Sequence, residues 1–243
     1  MQCIAKQGFD SEIFGLDYFR ITDFGHPALV EELGVLRQKA PLICDAKISA
    51  GDLAMHSVLT QAGFVKACVQ FKLRHDWPDS GKSSPNVLGK PATDVEIVDT
   101  LSWPTELIAE HARHFSCDRI SLDTRIPRDF HDAFYQKWIS NSISGATTVA
   151  VSGRNFCSFK KRQDVLVIDL LSCLDEGRGI GKSLVNAVVA ECSRLGLRAV
   201  EVTTECENTP AWHLYMKCGF QTDSFLACYH LVEPADALYV GGL

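Results

Sequence analysis

Residues 164–195 constrain the fold more than any other stretch. An apolar run, Val165-Leu166-Val167-Ile168-Asp169-Leu170-Leu171, leads through a short loop into Glu176-Gly177-Arg178-Gly179-Ile180-Gly181-Lys182-Ser183, and a helical pattern runs from about Gly179 to Leu195. The order is strand, glycine-rich turn, helix. Such a turn aims backbone N–H groups at a helix N-terminus, where the helix dipole favours an anion. Glycines let the chain approach a ligand that a Cβ would hold off. Lys182 and Ser183 add a cation and a hydroxyl at the same end. The pattern predicts a cradle for a phosphate or pyrophosphate.

Two common phosphate loops do not fit. A Walker loop ending in Gly181-Lys182-Ser183 needs its first glycine at position 176, which is Glu. A dinucleotide fingerprint starting at Gly177-x-Gly179 needs a glycine where Lys182 stands. The sequence after the turn continues the constraint. Leu197–Thr204 reads as a strand from its β-branched content and partial alternation. Asn208-Thr209-Pro210-Ala211 then supplies an N-cap and a proline at a helix start. That helix carries Trp212, Leu214, Tyr215 and Met216 and stops at Gly219-Phe220.

Together these segments resemble the GCN5-related N-acetyltransferase (GNAT) superfamily. Glu176-x-x-Gly179-x-Gly181 is similar to its motif A, departing at the first position, where Gln or Arg is usual. Asn208-x-x-Ala211-x-x-x-Tyr215-x-x-x-Gly219-Phe220 is similar to its motif B, at the expected distance. The resemblance implies an α/β (α+β) GNAT fold, a mixed central sheet flanked by helices.

The bulk properties set the remaining bounds. Hydrophobic content of 46% and charged content of 22% are those of a globular protein. A net charge of −6 argues against a general nucleic-acid binder. No apolar run reaches the roughly 18 residues that span a bilayer, and the N-terminus has no signal-peptide core. The ten cysteines include no C-x-x-C and the histidines no metal spacing, so neither zinc nor another metal is expected. Scattered reduced thiols point to a cytoplasmic protein.

The chain divides into residues 1–75, a Pro/Gly/Ser-rich linker at 76–93, and residues 94–243. Gly81-Lys82-Ser83 in the linker echoes a phosphate loop but lacks the flanking strand and helix. The first part contains an internal parallel. Leu59-Thr60-Gln61-Ala62-Gly63-Phe64 and its following strand match Tyr215-Met216-Lys217-Cys218-Gly219-Phe220 and its strand, 156 positions on. Leu59 replaces Tyr215, and no glycine-rich turn precedes the first copy. The N-terminal part therefore reads as a smaller, partial GNAT-like α/β unit without catalytic residues. The second part predicts the order β-α-α-β-β-β-α-β-α-β.

Ser11-Glu12-Ile13-Phe14-Gly15 and the loop Arg119…Asp123…Ile126-Pro127, followed by Phe134-Tyr135-Gln136-Lys137-Trp138-Ile139, resemble the dTDP-fucosamine acetyltransferase type. That type acetylates an amine of a nucleotide-linked amino-deoxy sugar. The two resemblances imply acetyl-CoA as co-substrate, without a metal, and a small-molecule amine as partner. The cofactor-binding residues implied are Leu170, Leu171, Cys173, Arg178, Gly179, Ile180, Gly181, Lys182, Ser183, Asn208 and Tyr215. A backbone N–H between Leu170 and Cys173 would face the developing oxyanion, but the sequence does not fix the register. Tyr215 would be the general acid for the leaving thiolate. A base is left open: Glu205 is the candidate, Glu201 lies on the same strand, and a sugar amine could need only a water relay. Arg119 and Asp123 would bind the substrate. An acetyltransferase of a protein N-terminus, polyamine or drug amine, and a non-catalytic CoA-binding module, stay open alternatives, as does a homodimer.

Overall fold

A computed structural model of the chain describes residues 2–76 and 94–233. The elements are β1 (Ile4–Lys6), α1 (Gly8–Phe14), β2 (Asp17–Ile21), α2 (Leu29–Arg37), β3 (Leu42–Ser49), α3 (Leu53–Gln61) and β4 (Val65–Asp76). After the undescribed residues come β5 (Glu96–Val98), α4 (Thr105–His114), α5 (Arg128–Asn141), β6 (Thr148–Ser152), β7 (Asn155–Arg162) and β8 (Val165–Ser172). The chain then continues with α6 (Ile180–Arg194), β9 (Ala199–Glu205), α7 (Thr209–Lys217) and β10 (Gln221–Glu233). From β5 onward this is the order that the sequence predicts. α5 runs into a wider turn at Ser142–Ala146, where Gly145 takes φ 111°.

Two compact units can be drawn among the described residues. One comprises residues 2–70, 117–134 and 225–233, and the other 71–76, 94–116 and 135–224. These units interleave along the chain, whereas the sequence reading draws one boundary through 76–93. Of that stretch and its Gly81-Lys82-Ser83, all but Asp76 lies outside the described residues.

In the first unit β1 pairs antiparallel with β2, β2 parallel with β3, and β3 antiparallel with β10 from Leu42↔Glu233 to Ser49↔Leu226. Strand side chains alternate between faces. Leu42, Cys44, Ala46 and Ile48 of β3, with Ala227, Tyr229 and Leu231 of β10, join Leu29, Leu33 and Leu36 of α2 and Leu59 of α3 in one apolar core. Tyr18, Arg20, Asp45, Lys47 and His230 fall on the opposite face. In the second unit β8 pairs antiparallel with β7, β7 with β6 and β6 with β5, while β8 and β9 are parallel. Leu184, Val185, Val188, Val189 and Cys192 form the buried stripe of α6, recurring at helical spacing. The stripe packs with Leu166 and Ile168 of β8 and Val200 and Val202 of β9.

The internal parallel holds atom by atom at the two helix ends. Asp52 Oδ1 accepts from the Met55 N–H at 3.0 Å, and Asn208 Oδ1 from the Ala211 N–H at 3.2 Å. Each cap opens a nine-residue helix. Each helix closes on a left-handed glycine, Gly63 (φ 82°) or Gly219 (φ 86°). The Phe64 N–H then bonds the Leu59 carbonyl at 2.9 Å, and the Phe220 N–H the Tyr215 carbonyl at 3.1 Å. This is the Schellman closure of a helix C-terminus. The same 156-position offset carries β3 onto β9 and β4 onto β10 to within a residue or so.

Gly63→Ala should lower stability by about 1–2 kcal/mol through the left-handed backbone alone, and more because the new Cβ would meet the Arg37 guanidinium. Gly153→Ala (φ 57°), where a Cβ meets nothing within 4 Å, should cost less. Urea unfolding of the two variants measures the difference.

Candidate functional site

β8 and β9 stay paired only briefly. Val165↔Ala199, Leu166↔Val200 and Val167↔Glu201 are in register, and the pairing then stops although β8 continues to Ser172 and β9 to Glu205. The β7–β8 register slips at the same level, between Ser158 and Phe159, leaving Asp169 as an extra residue opposite β7. Such a bulge bends its strand and raises the local twist. Trp138 Nε1 donates to Asp169 Oδ2 at 2.8 Å, and Lys160 pairs with the same carboxylate, so the extra residue is pinned. The two parallel strands thus part beyond Val167.

The bulge also fixes a register that the sequence leaves open. The Leu170 N–H donates to Ser158 Oγ at 3.2 Å, toward β7. Main-chain groups alternate sides along a strand. The N–H of Leu171 therefore points away from β7, into the parting between β8 and β9, and that of Cys173 follows in the same sense.

Past β8 the loop reaches α6 through Gly177 (φ 76°) and Gly179 (φ 75°). Both conformations favour glycine, and a Cβ at either position would meet nothing within 4 Å, so the space beside them is open. α6 has no side-chain cap. Its first intrahelical bond runs from Ser183 N–H to the Gly179 carbonyl at 3.1 Å, and the preceding N–H groups have no helical acceptor. Gly181 is tight instead: a Cβ there would stand 3.2 Å from Leu214 Cδ2 and 3.4 Å from Cys173 Sγ. Arg178 and Lys182 are exposed at this end. Glu176, at the motif's departing position, is exposed and lies 3.6 Å from His114 Nε2. These residues fit a pyrophosphate: free main-chain donors, open space and two cations.

Tyr215 lies on α7 with only 3% of its surface exposed. Among the described residues its hydroxyl makes no hydrogen bond. Burial, then the thiols of Cys157, Cys218 and Cys173 and the Glu205 carboxyl, hold the phenol well above its usual range, so it keeps its proton. Glu205 is buried at the end of β9, and its carbonyl accepts from the Asn208 N–H at 3.0 Å. The Asn208 side-chain oxygen is already the α7 cap. Behind the end of β8, His111 Nε2 meets the Arg154 carbonyl at 2.9 Å and Nδ1 meets Ser172 Oγ at 2.8 Å. Burial lowers this imidazole to about 4. It is therefore neutral, donating from Nε2 and accepting the Ser172 proton.

Arg119 and Asp123 belong to the first unit. Arg119 donates to the Tyr18 hydroxyl at 2.6 Å and stands 3.6 Å from Asp10 and 3.7 Å from Asp45. Asp45 is bound by Arg20 through Nε at 2.7 Å and Nη2 at 2.6 Å. Asp123 accepts from Arg125 at 2.9 and 2.7 Å and faces His230 Nδ1 at 2.8 Å. Burial alone would raise Asp123, but the bonds from His230 and Arg125 hold it below the usual carboxylate range. The sequence reading missed Tyr18, Arg20, Asp45 and His230 as members of this network. Alternation along β2 and β3 was the available signal, because Arg20 and Asp45 interrupt otherwise apolar strands.

Among the described residues no His, Cys, Asp and Glu side chains gather as a metal-ligand set. No described helix is long and apolar enough to cross a membrane.

Residues 176–220 match the acetyltransferase (GNAT) family. Among curated proteins no sequence matches. Solved structures do. A GCN5-related N-acetyltransferase from Sphaerobacter thermophilus is similar at 14% identity and TM-score 0.59, covering 94% of this chain and 75% of that one. A conserved protein of unknown function from Staphylococcus epidermidis is similar at 12% identity and TM-score 0.62, covering 93% and 89%. A tandem GNAT protein from the clavulanic acid biosynthesis pathway is similar at 12% identity and TM-score 0.53, covering 88% and 74%. The chain has the GNAT fold, and the segment that matches the family model coincides with the turn, α6, β9 and α7 described above.

Burial, then Glu176 and Asp175, push the Cys173 thiol up to about 11. Its alkylation by iodoacetamide, followed by peptide mapping, should be slow at neutral pH and keep rising through pH 10, well past the range of an ordinary thiol.

Proposed function

We propose that the chain is an acetyl-CoA-dependent N-acetyltransferase acting by direct attack of an amine. The observation that carries this reading is the parting of β8 from β9 beside a proton-bearing Tyr215 and the open glycine turn. Acetyl-CoA would supply an activated acetyl thioester. Main-chain N–H groups from Arg178 to Ser183 would hold its pyrophosphate, with Arg178 and Lys182 adding charge. The edge of β8 at Leu171 and Cys173 offers main-chain partners to its amide-bearing arm. Asn208 contributes by fixing the start of α7.

The residues divide the chemistry. The Leu171 N–H faces negative charge developing on the thioester carbonyl oxygen, where a preorganised donor stabilises the transition state. Tyr215 gives its proton to the departing thiolate. The proton passes as the C–S bond breaks and negative charge collects on sulfur, and Tyr215 has no competing hydrogen-bond partner among the described residues. Glu205 takes the amine proton. The acceptor in this reading is the amine of a nucleotide-linked amino-deoxy sugar. Support for that finer class comes from the sequence resemblance at Ser11–Gly15 and Arg119–Pro127.

Tyr215→Phe should lower kcat by about one to three decades, in the range of one general acid, while calorimetry shows acetyl-CoA binding within about threefold of the parent. Unchanged turnover would remove the acid role.

The class of acceptor is read by thiol release from acetyl-CoA with dTDP- and UDP-linked 4-amino-4,6-dideoxy sugars beside spermidine and a peptide set. Turnover confined to the nucleotide sugars is expected. Turnover only on polyamine or peptide would overturn the acceptor while keeping the chemistry.

A further inference from the structure

The polar face of the first unit has capacity that its own network does not use. Cross-strand register puts Arg20, Asp45 and His230 in one row over β2, β3 and β10, and Lys47 beside Cys228 in the next. Charges in the rows are nearly matched. Arg20 binds Asp45 through two nitrogens, Arg119 reaches Asp10, Asp45 and the Tyr18 hydroxyl, and Arg125 binds Asp123. Lys47 is the cation left over. Among the described residues it has neither an ion pair nor a hydrogen-bond acceptor, although it is only partly exposed. Burial, then Arg119, lower its ammonium from the usual range.

His230 is incomplete in the complementary sense. It is 0% exposed, and Nδ1 lies on Asp123 Oδ2 at 2.8 Å. Burial lowers the imidazole, so Nδ1 carries the proton and donates it to Asp123. Nε2 is then a bare acceptor, and it has no partner among the described residues. A buried acceptor without a donor costs free energy. Lys47 and His230 are diagonal neighbours on one face of an antiparallel pair, roughly 7–8 Å apart at the backbone. A long lysine side chain and an imidazole can therefore reach two ends of one small molecule.

We propose that this face is a binding site for a small metabolite that carries an anionic group, phosphate or carboxylate, near an N–H or O–H donor. Lys47 takes the anion and His230 Nε2 accepts from the donor. Asp123 is then a positioning residue, since it sets the histidine tautomer. Arg119 is another, since its bonds to Tyr18 and Asp10 leave Lys47 as the unmatched charge. The site is independent of acetyl transfer and stands whichever amine the chain acetylates.

The test is calorimetric titration of the full chain with glucosamine 6-phosphate, with serine and with inorganic phosphate. At least one bifunctional probe should bind saturably and more tightly than inorganic phosphate. Preference between the two assigns the anion as phosphate or carboxylate. Lys47→Met should weaken that binding roughly tenfold or more, as expected for one charge-assisted hydrogen bond, while acetyl-CoA binding stays unchanged as a check on folding. His230 is fully buried and its replacement can unfold the chain, so its part is read in the unaltered protein. The 15N resonance of its Nε2 must move on saturation. Equal binding in Lys47→Met, an unmoved His230 resonance, or no saturable binding by any probe in the millimolar range overturns the proposal.

Discussion

The second unit depends on a single misfit between strands. Adjacent parallel strands would normally keep their ladder to the end, since each lost pair leaves polar main-chain groups without a partner. Here the ladder between β8 and β9 ends at Val167↔Glu201. The extra residue in β8 forces the parting, and its side chain is tied by Trp138 and Lys160. The unpaired edges would be a cost in an isolated sheet. In the proposed function they are main-chain donors and acceptors available to an extended ligand. The turn, the uncapped start of α6 and Tyr215 all lie in the same unit as this opening.

Much of this was readable in the residues. The end of helix α3 falls at the Gly63-Phe64 pair that the sequence displays, and its start at the Asp52 cap. The 156-position offset was visible from Gly-Phe pairs alone and extends to the N-cap side chains. Glycines at 177, 179 and 181 mark a turn in the sequence, and the structure separates their backbone roles. The first two supply left-handed turns beside open space, while the third lets Leu214 and Cys173 come close.

The remainder was hidden for identifiable reasons. Asp169 looks like a lone polar residue in an apolar run, and nothing local says that it is the inserted residue of a bulge. The choice of Leu171 over Leu170 as the inward donor follows only from the Ser158 hydroxyl on the neighbouring strand. Residues 117–134 and the end of β10 belong with β2 and β3 through pairings more than a hundred residues apart in sequence. A histidine at 230 reads as an ordinary strand residue until Asp123, from a loop far earlier in the chain, is seen on its Nδ1.

The closure of α7 has a consequence for the phenol it carries. The carbonyl of Tyr215 accepts both the Phe220 and the Cys218 N–H, at 3.1 and 3.0 Å, and the Phe220 ring lies 5.5 Å from the Tyr215 ring. The same turn that ends the helix therefore clamps the backbone and flank of Tyr215. Rotational freedom of that group is surrendered when the chain folds, so in the proposed reaction its O–H would be placed in advance, the condition under which a fixed dipole lowers a barrier most. At the matching position the Leu59 carbonyl accepts the Phe64 N–H at 2.9 Å. The fold thus builds two rigid mounts of the same design, and only one of them carries a group with a proton to give.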